Sequence, residues 1–286
     1  MPYLLTEDDV EIYYRDWGAG SPIVLIHGWP LTGDSWESQA EFLAENGHRV
    51  IAYDRRGFGR SDQPWTGYDY DTLAADLHAL MEELDLQDAT LVGFSMGGGE
   101  VVRYLSTYGE SRVAKAVLIS AVTPYLLKTE DNPSGVDQKV FAEIERQIRA
   151  GRQDFLKDFA AKFYGRTTLK HPVSETVLQW FQSMAWTGSL RATLGAAKAW
   201  STTDFRADME QIRLPVLVIH GTGDATIPID ASGRRSVELL QNGTLLEYED
   251  EPHGLTVTAT ERVNEDLLDF IGTGARQKTF TDPQFA

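Results

Sequence analysis

Five compact apolar runs, PIVLIHG, RVIAYDRRG, ATLVGFS, VAKAVLIS and LPVLVIHGTGD, each break off at glycine or a polar residue. Helix-period segments lie between them, such as Trp36 to Glu45, Tyr70 to Leu84 and Met96 to Tyr108. An unbroken apolar run suits a strand buried on both faces, and strands separated by helices are crossed over so as to lie parallel. The chain is therefore expected to fold as α/β, a mostly parallel sheet flanked by helices. Ligands of such sheets bind beyond the carboxyl ends of the strands, so the residues just after each run are where chemistry is to be sought. Ahead of the runs, Tyr3 to Thr6 and Glu11 to Trp17 flank Glu7-Asp8-Asp9 and read as an opening hairpin.

Between Pro124 and Phe205 the alternation stops and the chain reads as aromatic-rich helices. Phe155, Phe159 and Phe163 recur every fourth residue, followed by Trp180, Phe181, Trp186 and Trp200. This divides the chain into a core of residues 1–123 and 206–272 and a helical cap of residues 124–205. Most of the cap rings are expected to be packing, with Phe159, Phe163 and Trp186, together with Pro30 of the core, as candidates for a pocket wall. Residues 273–286 lack periodicity and are expected to form a loose tail.

With 43 acidic against 26 basic residues the formal charge is -17, which repels nucleic acid and anionic membranes. The N-terminal residues MPYLLTEDDV lack the basic start and apolar core of an export signal, and no uncharged run approaches the length of a membrane span. A cytoplasmic protein is expected. There are no cysteines, and none of the six histidines pair at helical spacing, so no metal is expected.

The run ATLVGFS leads into MGGGE, setting Ser95 between Gly93 and Gly97 at a strand-to-helix junction. A serine forced into so sharp a turn has its hydroxyl thrust outward, and only glycine on either side leaves room for it. The start of the helix also favours negative charge nearby. A serine capping a glycine-rich turn is the bland alternative. As a nucleophile it needs a base. His253, in EDEPHGL, follows the strand-like TLLEYE and is the candidate, whereas His220 precedes Gly-Thr-Gly-Asp and is expected to shape that turn. His27 is expected to be a structural hydrogen-bonder, and His48, His78 and His171 to be solvated.

The base needs an acid to hold its tautomer. Asp224, just after the run ending at His220, is the candidate, and Glu251 is expected to face water. Two backbone N–H groups are needed to stabilise a tetrahedral oxyanion. Met96, after the nucleophile, supplies one, and Trp29 in VLIHGWPLTG is the candidate for the other. Pro30 biases Trp29 towards extended angles, fixing where its carbonyl points.

The order Ser95, Asp224, His253 is that of α/β-hydrolases. The segments HGWPLTGDSWE, YDRRGFGRSDQPWTGYDYDTLAADL, GFSMGGGEVVRYL, TDFRADM, HGTGD and PHG resemble that superfamily, and within it the cofactor-free bacterial haloperoxidases, or perhydrolases, and aryl esterases. The resemblance runs to about Gly272. It implies an eight-stranded, mostly parallel sheet with a helical cap insertion. It also implies an ester hydrolase that passes an acyl group from serine to hydrogen peroxide, making a peroxy acid that oxidises halide without haem, vanadium or flavin. The substrates it implies are a small ester, or a short carboxylic acid with peroxide. Pro30 resembles the version in the better perhydrolases, and Asp54 and Arg55 are read as scaffolding. The same residues would serve an amidase or lactamase, and a non-catalytic ligand receptor could retain all of them.

Overall fold

The computed structural model of the protein describes residues 2–272, so the tail expected at 273–286 lies outside the described residues. Its strands are β1 (Tyr3–Leu5), β2 (Glu11–Gly18), β3 (Ser21–Ile26), β4 (His48–Tyr53), β5 (Ala89–Phe94), β6 (Val113–Ile119), β7 (Val216–Gly221) and β8 (Gly243–Tyr248). They form one eight-stranded sheet in the order β1-β2-β4-β3-β5-β6-β7-β8. The expected hairpin is present, with β1 antiparallel to β2 and β2 antiparallel to β4. Every other pairing is parallel, and β5 and β7 are buried along their whole length.

The helices are α1 (Glu37–Glu45), α2 (Tyr70–Glu83), α3 (Met96–Tyr108), α4 (Gln138–Phe163), α5 (Glu175–Ala185), α6 (Leu190–Thr202), α7 (Arg206–Met209), α8 (Gly233–Leu239), α9 (Leu255–Thr258) and α10 (Thr260–Ile271). From β3 the chain crosses outward to β4, then returns past β3 to β5. Right-handed crossovers made in opposite directions put α1 and α2 on opposite faces. Accordingly α1 packs with α10, while α2, α3, α7 and α8 pack in succession. The reversal leaves a crevice beyond the carboxyl ends of β3 and β5, the place where such sheets bind ligands.

Helices α5 and α6 each pack on α4 above that crevice, and α4 is kinked at Gly151. Side chains of Asp69, Asp137, Ser174 and Ser189 cap the N-termini of α2, α4, α5 and α6. The last helical segment breaks at Ala259 (φ -128°, ψ 38°) into α9 and α10. One local expectation needs correction. His48 is buried rather than solvated, because it opens β4 beneath the end of α10 and its Nε2 lies 2.9 Å from the Gly272 carbonyl. Among the described residues no helix is long and apolar enough to cross a membrane.

Helix α3 meets the sheet by backbone contact: a Cβ on Gly97 would come within 2.3 Å of the Ile26 carbonyl oxygen of β3. Gly97→Ala is expected to cost about 2–4 kcal/mol, since main chain must move to admit the methyl group. Urea unfolding of the variant against the parent checks this.

Candidate active site

Ser95 joins β5 to α3 with φ 54° and ψ -115°, a conformation that L-residues rarely adopt. Main-chain hydrogen bonds hold it there: its N–H donates to Ile119 O at 2.8 Å, and its carbonyl accepts from Gly98 and Val122. The neighbours cannot carry side chains, because a Cβ on Gly93 would meet Gly97 O at 2.4 Å and one on Gly98 would meet the Ala121 Cβ at 2.5 Å. The turn aims the Ser95 hydroxyl at His253, whose Nε2 is 3.0 Å away.

His253 is 1% exposed, with the rings of Phe94 and Phe163 at 5.1 and 4.9 Å. Its Nδ1 donates to Asp224 Oδ2 at 2.6 Å, which leaves Nε2 as the acceptor for the serine proton. The other oxygen, Oδ1, accepts the N–H groups of Thr226 and Ile227 at 2.8 and 2.7 Å. Burial pushes the Asp224 carboxyl up, but attraction to His253 and hydrogen bonds from His220 and His253 outweigh it and hold the group well below the usual carboxylate range. The carboxylate therefore stays ionised beside the imidazole. Glu251 does not simply face water; it is half-buried and accepts the Thr258 hydroxyl at 2.5 Å.

The loop after β3 comes against the serine so closely that a Cβ on Gly28 would be 3.0 Å from the Ser95 Cβ. The loop that carries Trp29 therefore lies beside Ser95, and both residues line one cavity. Met96 is the first residue of α3, so its N–H has no intrahelical acceptor and is free for a ligand. A buried cluster sets the loop. His27 Nε2 accepts the Arg55 N–H at 2.9 Å, which puts the ring proton on Nδ1, where it reaches Gly28 O at 2.9 Å. Burial, and then the charge of Arg55, hold His27 well below its ordinary pKa, so it is neutral. Arg55 donates to His27 O at 2.7 Å and to Glu100 Oε2 of α3 at 2.8 Å, while the Tyr53 hydroxyl donates to the other Glu100 oxygen. Burial pushes Glu100 up and Arg55 down to about 10, the expense of placing two charged groups in direct contact away from water.

Above Ser95 and His253 is a cavity of about 510 Å³ with Trp29, Val122, Leu126, Phe141, Phe159 and Ile227 in its wall. Charged groups of α4 also line it, Lys139, Glu143, Asp158 and Lys162, of which Lys139, Asp158 and Lys162 are exposed. A larger cavity of about 770 Å³ shares Phe141, Ile144 and Trp200 with it but does not reach Ser95. Of the expected pocket residues, Phe159 lines the cavity and three others do not. Phe163 is 1% exposed and packs edge-on behind the His253 ring. Trp186 follows α5 on the outer surface, 45% exposed, beside Gln153, Lys157 and Glu175. Pro30 is hidden in the tight turn in which Leu31 N–H returns to Gly28 O at 2.9 Å. Sequence reasoning missed Val122, Leu126 and Ile227 as cavity residues, although each lies in a segment following a strand end.

The model of the alpha/beta hydrolase fold family matches residues 21–259. The chain is 47% identical over 276 residues to a putative non-heme chloroperoxidase of Synechocystis sp., covering 95% of this chain and 100% of the relative. It is 44% identical over 276 residues to a bifunctional esterase/perhydrolase of Acinetobacter calcoaceticus, covering 95% and 99%. The crystal structure of a bromoperoxidase from Bacillus anthracis aligns with a TM-score of 0.90 at 47% identity, covering 94% of this chain and 98% of that one.

The pair beneath the Trp29 loop makes a testable demand. Arg55→Met leaves the Glu100 carboxylate buried without its partner, and is expected to cost about 3–5 kcal/mol of stability. Chemical unfolding measures it.

Proposed function

Since this chain belongs to the α/β-hydrolase family, alongside non-heme haloperoxidases and an esterase/perhydrolase, we propose that it is a serine-dependent carboxylic ester hydrolase that can also use hydrogen peroxide as the acyl acceptor. The observation that carries the reading is the unbroken chain of contacts Ser95 Oγ, His253 Nε2, His253 Nδ1 and Asp224 Oδ2, at 3.0 and 2.6 Å. Ser95 is the nucleophile. His253 takes its proton as the hydroxyl attacks the ester carbonyl, and Asp224 stabilises the imidazolium that results. The oxyanion of the tetrahedral intermediate accepts the N–H groups of Trp29 and Met96. His253 then gives its proton to the leaving alkoxide, and an acyl-enzyme remains on Ser95.

Water deacylates this intermediate in hydrolysis. Hydrogen peroxide does so in perhydrolysis: His253 removes a peroxide proton, the terminal oxygen attacks the acyl carbon, and the peroxy acid departs as Ser95 regains its proton. The peroxy acid oxidises bromide or chloride in solution, transferring one oxygen to halide and reverting to the carboxylic acid. The cavity fits a small ester or carboxylic acid, because apolar side chains such as Val122, Leu126, Phe159 and Ile227 offer packing surface in the same cavity as the Ser95 hydroxyl.

A fluorophosphonate probe is expected to label Ser95, and Ser95→Ala or His253→Ala to lower kcat on aryl esters by roughly 10⁴ to 10⁶. Folded protein that resists the probe would favour a ligand receptor, and turnover of anilides matching that of esters would favour an amidase. In the peroxide reaction the Trp29 carbonyl, turned by Pro30, accepts a hydrogen bond from peroxide. Pro30→Leu is therefore expected to lower the ratio of perhydrolysis to hydrolysis, measured with one ester in the presence and absence of peroxide.

A further inference from the structure

His220 has no part in the proton transfers above, yet it is fully buried against them. It stands at the end of β7 with Nε2 2.9 Å from the Ile227 carbonyl oxygen and 3.3 Å from Asp224 Oδ2. Both neighbours are acceptors, so Nε2 must carry the proton. Nδ1 has no partner among the described residues, and a Cβ on Gly233 would come within 2.9 Å of it. The ring thus donates through Nε2–H, which faces both the Asp224 carboxylate and the main chain at the far end of the Asp224 loop.

With His220 included, four nitrogens lie within 3.3 Å of the carboxylate oxygens. Oδ1 accepts two main-chain N–H groups, and Oδ2 accepts His253 and His220. Charged groups on elements packed here include Glu247, opposite His220 on β8, and Arg234 of α8, which pair with each other at 2.7 Å; Arg234 also holds Asp230 at 2.6 Å, and Arg235 and Glu238 lie on the same helix.

We propose that His220 is a positioning residue for the proton relay: its Nε2–H keeps Asp224 Oδ2 facing His253, clamps residues 221–227 onto the end of β7, and moderates how strongly the carboxylate holds the His253 imidazolium. The proposal rests on the reading of Ser95, His253 and Asp224 given above. His220 touches neither substrate nor reacting atoms. Its effect is exerted through Asp224, because a donor on Oδ2 draws charge from the oxygen that also holds His253.

The test compares His220→Leu and His220→Gln with the parent on one aryl ester across pH. Leucine removes the donor, and kcat is expected to fall roughly tenfold with KM little changed. The acid limb of kcat/KM moves up by about half a pH unit, because the unshared carboxylate holds the imidazolium more tightly. Glutamine keeps an amide donor and is expected to restore most of kcat and return the limb. A folded leucine variant with the parent's kcat and acid limb overturns the proposal, as does a loss that glutamine does not rescue and that leaves the limb in place. Asp224→Asn run in parallel separates the two readings. Full activity there overturns the relay itself, whereas a crippled Asp224→Asn beside an unaffected His220→Leu overturns only the role of His220. The parent protein offers a readout that needs no foldable variant: in ¹⁵N-histidine spectra His220 is expected to be protonated at Nε2 and bare at Nδ1, and a proton on Nδ1 overturns the proposal.

Discussion

A serine at φ 54° and ψ -115° is a local cost that the surrounding fold must cover, and much of the architecture follows from covering it. The strain persists because β5, buried on both faces, stops where α3 must begin, with glycines at 93, 97 and 98 letting main chain meet main chain. That close approach is possible only near the middle of a parallel sheet, where both faces are packed. The reversal of strand order at β3 then brings a second loop to the same crevice. The nucleophile and the loop of the proposed oxyanion donors are thus neighbours in the sheet, although Trp29 and Ser95 are far apart along the chain.

Two buried polar clusters serve this arrangement in different ways. Under the Trp29 loop, Arg55 and Glu100 form a desolvated ion pair whose function is geometric: it ties β4, α3 and the His27 main chain to one another. Around Asp224 the charge is single, and four donors surround it, two of them main-chain N–H groups. A pair neutralises itself and is chemically quiet. A lone carboxylate ringed by hydrogen-bond donors keeps its charge, and in the proposed mechanism that charge serves the His253 imidazole.

The alternation of apolar runs and helical segments, visible in the chain, accounts for the parallel strands and for the placing of Ser95, Asp224 and His253 after β5, β7 and β8, since strand ends are marked by glycine and polar residues. Periodicity carries no comparable information about the cap. Phe155, Phe159 and Phe163 share one helical face, yet Phe159 meets the cavity while Phe163 backs the His253 ring, because α4 passes over the site and each turn meets a different neighbour. Trp186 lies outside because α5 ends on the outer surface, a fact set by helix packing that no local pattern encodes. His48 is hidden for a similar reason: its partner is a main-chain carbonyl more than two hundred residues away.

The side chain of Trp29 runs away from the serine into the cap, where its Nε1–H donates to Thr193 O of α6 at 3.1 Å and its ring packs on Phe159 and Trp200. On the other side, the Gly254 N–H beside the imidazole donates to Phe163 O at the end of α4 at 2.9 Å. One bolt thus fastens the cap to each side of the site. Because both acceptors are main-chain carbonyls, a displacement of α6 or of the end of α4 would be carried directly to the loops that hold Trp29 and His253.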